Sequence, residues 1–392
     1  MYPKLTLKPG KEKSLLNLHP WLFSGAVASI NREIAEGEVV EIFSSDKKYL
    51  ATAHFHDGSI TGRVISFDHR EINRDFWKEK IKKAFSIRQQ LRLVDNKNTN
   101  AYRLVNAEVD GMSGLIIDVY DRTAVMQAHT ISMYENAQLF AEIIAELFGA
   151  DFSVYDKSAE ALNRKNETAI QNKYLLGEKR NQIISENGLK FLVDWEQGQK
   201  TGFFLDQRDN RKLLQQYSSN KKVLNAFAYS GGFSVYALQA DASLVHSVDS
   251  SRTAAELAEK NIQLNFPDEQ RHNFFTEDVF DFLKKSGEKY DVMVLDPPAF
   301  AKHQSALKNA AIAYRNMNAE AMKRIAPSGI LFTFSCSQHI DKTLFQKIIF
   351  AAAAMSKRNV RVLHQLHQPT DHAFSIYHPE GEYLKGLVLF VE

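Results

Sequence analysis

The sequence predicts an α/β protein. Its C-terminal half reads as a doubly wound, mostly parallel sheet, preceded by a β-rich module and a small α+β segment. Three observations predict this. First, four near-continuous apolar runs, VLNAFAY (223–229), LVHSVD (244–249), YDVMVLD (290–296) and GILFTFS (329–335), alternate with helical segments at 251–265 and 306–325. Parallel strands covered on both faces have that pattern. Second, residues 1–72 hold short alternating runs separated by Asp, Gly and Ser. Third, residues 73–180 mix strands with helical periodicity. At 392 residues the chain suits two or three domains, and we expect them at 1–72, 73–180 and 181–392.

In the first segment VVEIF (39–43), YLATAHF (49–55) and ITGRVISF (60–67) are the expected strands, and His19-Pro20-Trp21 is a turn with an aromatic anchor. A helix is expected after Asn73, whose side chain can accept from free amides of the first turn. Phe76, Trp77, Ile81, Ala84, Phe85 and Leu91 fall on its apolar face. Lys78, Lys80, Lys82, Lys83, Arg88 and Arg92 fall on the other, which reads as a solvated face or an RNA-facing stripe. Runs 114–121 and 123–129 suggest a hairpin. Residues 134–149 suggest one amphipathic helix stopped by Gly149, 153–157 a strand, and 159–166 a helix or loop. Asn187-Gly188, inside 183–194, is a strong signal for a two-residue hairpin turn.

Lysine and arginine total 49 against 47 acids, a net charge of +2. Binding to nucleic acid through a broad basic field is thus excluded, and any such contact must use local patches. No apolar run reaches the ~18 residues of a membrane helix, and 348–355 is the longest candidate. The single cysteine rules out internal disulfides and cysteine-rich zinc sites. It fits a reducing compartment. We expect a cytoplasmic protein with no membrane partner and no metal.

In doubly wound sheets ligands bind beyond the carboxyl ends of the strands. The first buried run leads into Tyr229, Ser230, Gly231 and Gly232. Glycines there allow close backbone approach to a ligand, or mark an ordinary turn. The second ends in Asp249, which suits ribose hydroxyls or a helix cap. Asp278 follows NFFTE, where adenine contacts are expected. The next run ends in Asp296-Pro297-Pro298-Ala299-Phe300, and proline holds the preceding residue extended. The last ends in Ser335-Cys336-Ser337, so the lone cysteine shares the edge with the other features.

Nucleoside-binding strand ends, a rigid Asp-Pro-Pro and a cysteine suit methylation of cytosine at carbon 5. That carbon is a poor nucleophile until a thiolate adds at carbon 6. Cys336 is the expected nucleophile and Asp296 the contact to the ring edge, with S-adenosylmethionine as methyl donor. Pro297, Pro298 and Phe300 are expected beside the substrate. Gln207 and Arg208 are read as cofactor or RNA contacts, or as a buried polar brace. A single-stranded or bulged RNA is the cheaper target, since a duplex base must first be flipped out.

At these residues the sequence resembles the RlmI-type 23S ribosomal RNA cytosine-C5 methyltransferases, which carry an N-terminal PUA domain. The likeness runs through HPWLFSGAV (19–27), RLVNAEVDGMSGLIIDVYD (103–121), GQKTGFFLDQRDNR (198–211), NAFAYSGGFS (225–234), LDPPAF (295–300), FSCS (334–337) and EGEYLKGL (380–387). It implies a seven-stranded class I methyltransferase domain of Rossmann-like type, an N-terminal PUA domain and a small α+β central domain. It also implies S-adenosylmethionine as cofactor and 23S ribosomal RNA, naked or in an assembly intermediate, as substrate. Cys336 takes the nucleophile position, Asp296 the base-contact position, and Asp249 and Asp278 the ribose and adenine positions. Many RNA members of the wider group carry a second cysteine that aids release. This chain has none, and its sequence does not name the releasing base. A homodimer is compatible with the sequence. The competing readings are an N-methyltransferase acting on an RNA purine and a catalytically silent RNA-binding assembly factor.

Overall fold

The structure, a computed structural model, describes residues 2–163, 169–301 and 303–392. The chain forms two compact units. The first is Met1–Ile184, Val193–Phe203 and Thr370–Gly381; the second is Ser185–Leu192, Phe204–Pro369 and Glu382–Glu392.

The first unit holds two sheets. One is six-stranded, in the order Trp21–Phe23, Ile60–Ser66, Tyr49–Phe55, Val39–Phe43, Lys4–Leu7, Val27–Ile30. Its pairs are antiparallel except Lys4–Leu7 with Val39–Phe43. Alternate residues Val40, Ile42, Ala51, Ala53 and Val64 join Leu5, Leu7 and Leu22 in one core, as a half-buried strand requires. The other sheet is five-stranded, in the order Lys173–Leu176, Ser153–Asp156, Thr123–Ala128, Leu115–Tyr120, Ala101–Asn106. The expected hairpin at 114–129 is its centre.

The helix Arg74–Gln90 is capped by Asn73, whose side chain accepts from the Phe76 amide at 3.0 Å. Trp77 meets Phe140 with ring centroids 5.3 Å apart. One residue of the expected basic face is turned inward. Arg88 is buried and forms a two-pronged ion pair with Asp110 at 2.7 and 2.8 Å, while its Nε donates to the Arg103 carbonyl. Fixed partners for most of its donors are what make burial of that guanidinium tolerable. Lys80 lies 5.4 Å from the Phe76 ring and Lys78 pairs with Glu146, so Lys82, Lys83 and Arg92 are the exposed cations of the set. The expected single helix at 134–149 is two, Ile131–Glu135 and Ala137–Phe148. Asn136 breaks it, because its side-chain amide donates to the Ser132 carbonyl at 2.8 Å and competes with the helical bond. Gly149, at φ 97°, ends the second helix as expected. Ala159–Leu162 is helical; the rest of the 159–166 expectation runs outside the described residues.

The second unit is built on a seven-stranded sheet. Its strands are β1 (Lys222–Ala226), β2 (Leu244–Asp249), β3 (His272–Thr276), β4 (Tyr290–Leu295), β5 (Ile325–Ser335), β6 (Val360–Leu366) and β7 (Lys385–Val391). Their order is β3-β2-β1-β4-β5-β7-β6. The first five strands in that order are parallel, and β7 runs antiparallel between β5 and β6. Leu224, Ala226, Met293, Leu295, Leu331 and Leu389 pack with Tyr314, Met317 and Phe345 from the covering helices. This covering explains the near-continuous apolar runs. β1 stops three residues earlier than expected, because Phe227 and Tyr229 take positive φ, 61° and 45°, which ends extended pairing. The Asn187-Gly188 turn has φ 51° and 84°, the two positive values a primed hairpin turn needs.

Candidate active site

Because β3, β2, β1, β4 and β5 are parallel neighbours, their carboxyl ends lie along one edge. That places the residues after each strand side by side. After β1, the chain turns through Tyr229 and Gly231 before the helix Gly232–Gln239. The Tyr229 amide donates to Asp249 Oδ2 at 3.0 Å, tying the first strand end to the second. Asp249 Oδ1 accepts from the Ser251 amide. The cap of the next helix, Arg252–Asn265, is Ser251 and not Asp249. Gly231 has φ 72°, and a Cβ there would stand 2.9 Å from Ala258 Cβ. A Cβ at Gly232 would stand 3.0 Å from Arg211 Cδ. The turn is held from behind by Asn261, fully buried, whose amide donates to the Ser230 carbonyl at 2.8 Å. Asp278 is exposed and caps the helix Val279–Lys285, with Oδ1 accepting from Phe280 and Asp281.

The other half of the edge is the pair of loops after β4 and β5. Asp296 is half-buried, Pro297 buried and Pro298 exposed. Cys336 is half-buried, and its Sγ–H donates to the Pro297 carbonyl at 3.8 Å. Ser337 is fully buried and joins the loops: its Oγ accepts from the Ala301 amide at 3.2 Å and lies 3.1 Å from the Tyr314 hydroxyl. The Phe300 ring packs 4.6 Å from Tyr314 and 6.3 Å from Phe280. Gln207 and Arg208 are both buried near the start of the helix Arg208–Ser218. Gln207 Oε1 accepts from the Asn210 amide at 2.7 Å, and Arg208 Nε stands 3.6 Å from Asp209.

Two residues of this edge carry no role in the sequence reading. Asn261 is one, and nothing in an amphipathic helix marks a buried Asn as a loop brace. The other is Lys385. It is the first residue of β7 and the register partner of Ser335. Its Nζ donates to the carbonyls of Ser337 (2.8 Å) and Tyr383 (2.7 Å), and the residue is 3% exposed. Burial pushes its ammonium down to about 8, against the opposing pull of Cys336, Glu382 and Asp341. A lysine heading an otherwise apolar strand was the available signal. A separate hollow of about 1190 Å³ lies in the first unit, lined by Glu36, His56, Arg63, Tyr134 and Lys173 among others.

A strand order of 3-2-1-4-5-7-6, with glycines after the first strand and an acid after the second, is the arrangement of class I methyltransferases. Residues 158–375 match the S-adenosylmethionine-dependent methyltransferase family, and residues 5–67 match a PUA-like domain. The ribosomal RNA large subunit methyltransferase I of Aeromonas salmonicida is 39% identical over 390 residues, covering 98% of each chain. The chain belongs to this family. Family members of the same name from Vibrio campbellii and Klebsiella pneumoniae are 38% identical, again over 98% of each chain. The fold is shared with an S-adenosylmethionine-dependent methyltransferase from Streptococcus mutans, at TM-score 0.86 and 24% identity over 99% of this chain and 100% of that one. A second solved methyltransferase, in complex with S-adenosylhomocysteine, superposes with TM-score 0.87. The family's cofactor is S-adenosylmethionine. The turn at 229–232 fits it, since Gly231 takes a positive φ that favours glycine and acids stand at the neighbouring strand ends. Among the described residues, no helix is long and apolar enough to cross a membrane.

Proposed function

We propose that this chain methylates carbon 5 of a cytosine in 23S ribosomal RNA through a covalent adduct to Cys336. The observation that carries the reading is the approach of Cys336 Sγ to the carbonyl of Pro297, which puts the lone thiol against the Asp-Pro-Pro loop. A purine N-methyltransferase has no use for a thiol at that point.

The backbone at 229–232, with Asp249 at the ribose and Asp278 at the adenine, would hold the cofactor. Bound S-adenosylmethionine supplies the methyl group from its sulfonium. The Cys336 thiolate adds to carbon 6 of the ring, and the electron pair of the C5–C6 double bond becomes available at carbon 5. Asp296 accepts from the exocyclic amine and, entering protonated, gives its proton to nitrogen 3 as the thiolate adds, so charge developing on the ring is neutralised; the proton returns to Asp296 as the ring is re-formed. Carbon 5 takes the methyl group. Its proton then leaves, the double bond re-forms, and the thiolate is expelled. The chain has one cysteine, so the acceptor of that proton is not a second thiol. Pro297, Pro298 and Phe300 shape the wall beside the base, and Arg208 and Gln207 brace the approach. The PUA-like segment and the exposed cations Lys82, Lys83 and Arg92 supply local RNA contacts in place of a broad basic field.

The test is incubation with labelled S-adenosylmethionine and unmodified 23S RNA, free or in a precursor particle, followed by nucleoside mass spectrometry. The expected product is 5-methylcytidine from the natural chain and none from Cys336→Ala. Methylation that survives Cys336→Ala overturns the covalent route. Methyl groups on adenine or guanine point to the purine N-methyltransferase, and cofactor binding without any product points to an assembly factor.

A further inference from the structure

We propose that Lys385 is the positioning residue of Cys336: its ammonium, bound to the carbonyl of Ser337, pins the 335–337 turn and brings a positive charge to the residue next to Cys336, where it favours the thiolate. This rests on the reading of Cys336 as nucleophile and deepens it.

The argument begins with geometry. β7 inserts between β5 and β6, and its first residue pairs with the last residue of β5, Ser335. The Lys385 side chain is therefore delivered to the turn that carries Cys336. Two of its three N–H bonds are spent on the carbonyls of Ser337 and Tyr383. An unsatisfied ammonium at 3% exposure would be costly. This one is held by two carbonyl dipoles, one of them belonging to the residue that follows Cys336.

The neighbouring charges are otherwise engaged. Glu382 pairs with Lys342 at 2.5 Å. Asp341 caps the helix Lys342–Ser356 by accepting from the Leu344 amide at 2.7 Å. The Tyr314 hydroxyl is bound to Ser337, and burial holds it in the neutral form. Asp296 stands at the tip of the adjacent strand. The interaction is reciprocal: Cys336 as an anion draws Lys385 towards its charged form, so Lys385 as a cation draws Cys336 towards the thiolate.

A free thiol has a pKa of about 8.5 and is only a few per cent ionised at neutral pH. Raising that fraction is the rate advantage on offer. The single cysteine makes the measurement clean, because every alkylated thiol in the full chain is Cys336. The rate of alkylation by iodoacetamide is followed from pH 5.5 to 10 without RNA. The natural chain is expected to titrate below about 8.5. Lys385→Met is expected to titrate at least a unit higher, with alkylation about tenfold slower at pH 7. Lys385→Arg, which keeps the charge, is expected to restore most of the shift. Binding of S-adenosylhomocysteine by calorimetry reports whether each variant is folded. If Lys385→Met does not fold, the native chain is compared with the same chain in urea. A native thiol titrating no lower than the unfolded one overturns the proposal. So does a folded Lys385→Met that alkylates like the natural chain. No step of the assay uses methyl transfer. Product formation by Cys336→Ala would overturn the covalent mechanism and leave the Lys385–Cys336 coupling standing. An unshifted thiol would overturn the coupling and leave the mechanism standing.

Discussion

Cys336 and Pro297 sit on different strand ends, yet Sγ of the first donates to the carbonyl of the second at 3.8 Å. The contact survives only if the two loops are held in register, and Ser337 is the residue that holds them. Ser337→Ala removes the acceptor of the Ala301 amide and the partner of the Tyr314 hydroxyl. A buried group left without its partner costs about 1–3 kcal/mol. We expect a loss of that size in urea unfolding, and a fall in turnover exceeding the fall in cofactor affinity. Equal stability of variant and natural chain would show that Ser337 does not join the loops.

Gly231→Ala tests the cofactor turn. At φ 72° with Ala258 Cβ at 2.9 Å, the added methyl meets both a strained backbone and a packed helix. Strain of this kind is of order 1–3 kcal/mol. Calorimetry with S-adenosylhomocysteine should show affinity down by about tenfold or more, and tight binding by Gly231→Ala would sink the assignment of this turn to the cofactor.

Asp110→Ala and Arg88→Met form a pair with unequal outcomes. Removing Asp110 leaves the Arg88 guanidinium buried and unpaired, at a cost of about 3–5 kcal/mol. Arg88→Met removes the charge and keeps the packing, so its penalty should be the smaller of the two. The reverse ranking in thermal unfolding would mean that the guanidinium's bonds to backbone carbonyls, and not its charge, dominate at that site.

His54 makes the first unit acid-sensitive. It is buried against Trp77, its Nδ1 has no hydrogen-bond partner, and burial followed by the neighbouring His56 pushes it down to about 3. The unfolded chain takes up a proton near pH 6.5 and the folded one does not. Stability is therefore full above pH 6.5 and is lost as pH falls towards 3. By pH 5 the loss from this residue is about 2 kcal/mol. His54→Phe should flatten that slope in unfolding curves taken from pH 7.5 to 5; an unchanged slope would acquit His54.

The sheet was legible because its strands are covered on both faces and so read as unbroken apolar runs. The strand-end residues followed from that alone, since parallel neighbours must share an edge. Asn73, Ser251 and Asn187-Gly188 were legible because capping and turn chemistry are local. What escaped is long-range or conformational. Tyr229 looks like a strand residue, and its positive φ depends on an amide reaching Asp249. Arg88 looks solvated, and only the fold brings Asp110 to it. Lys385 looks like a charged strand flank. Its burial is decided by β7 entering between two strands that lie earlier in the chain.

The two units alternate along the chain in six segments, so the backbone passes between them five times. Val193–Phe203, which contains the fully buried Trp195, and Thr370–Gly381 both belong to the first unit. β7 is reached only after the second of these excursions. A cut before Phe204 keeps all seven strands and Lys385 on one piece, but that piece also carries Thr370–Gly381, a segment of the first unit. A chain truncated after Pro369 loses the middle-inserted strand and exposes the edge of β5. Synthesis must therefore run through Thr370–Gly381, a segment of the first unit, and on through β7 before the sheet of the second unit is complete.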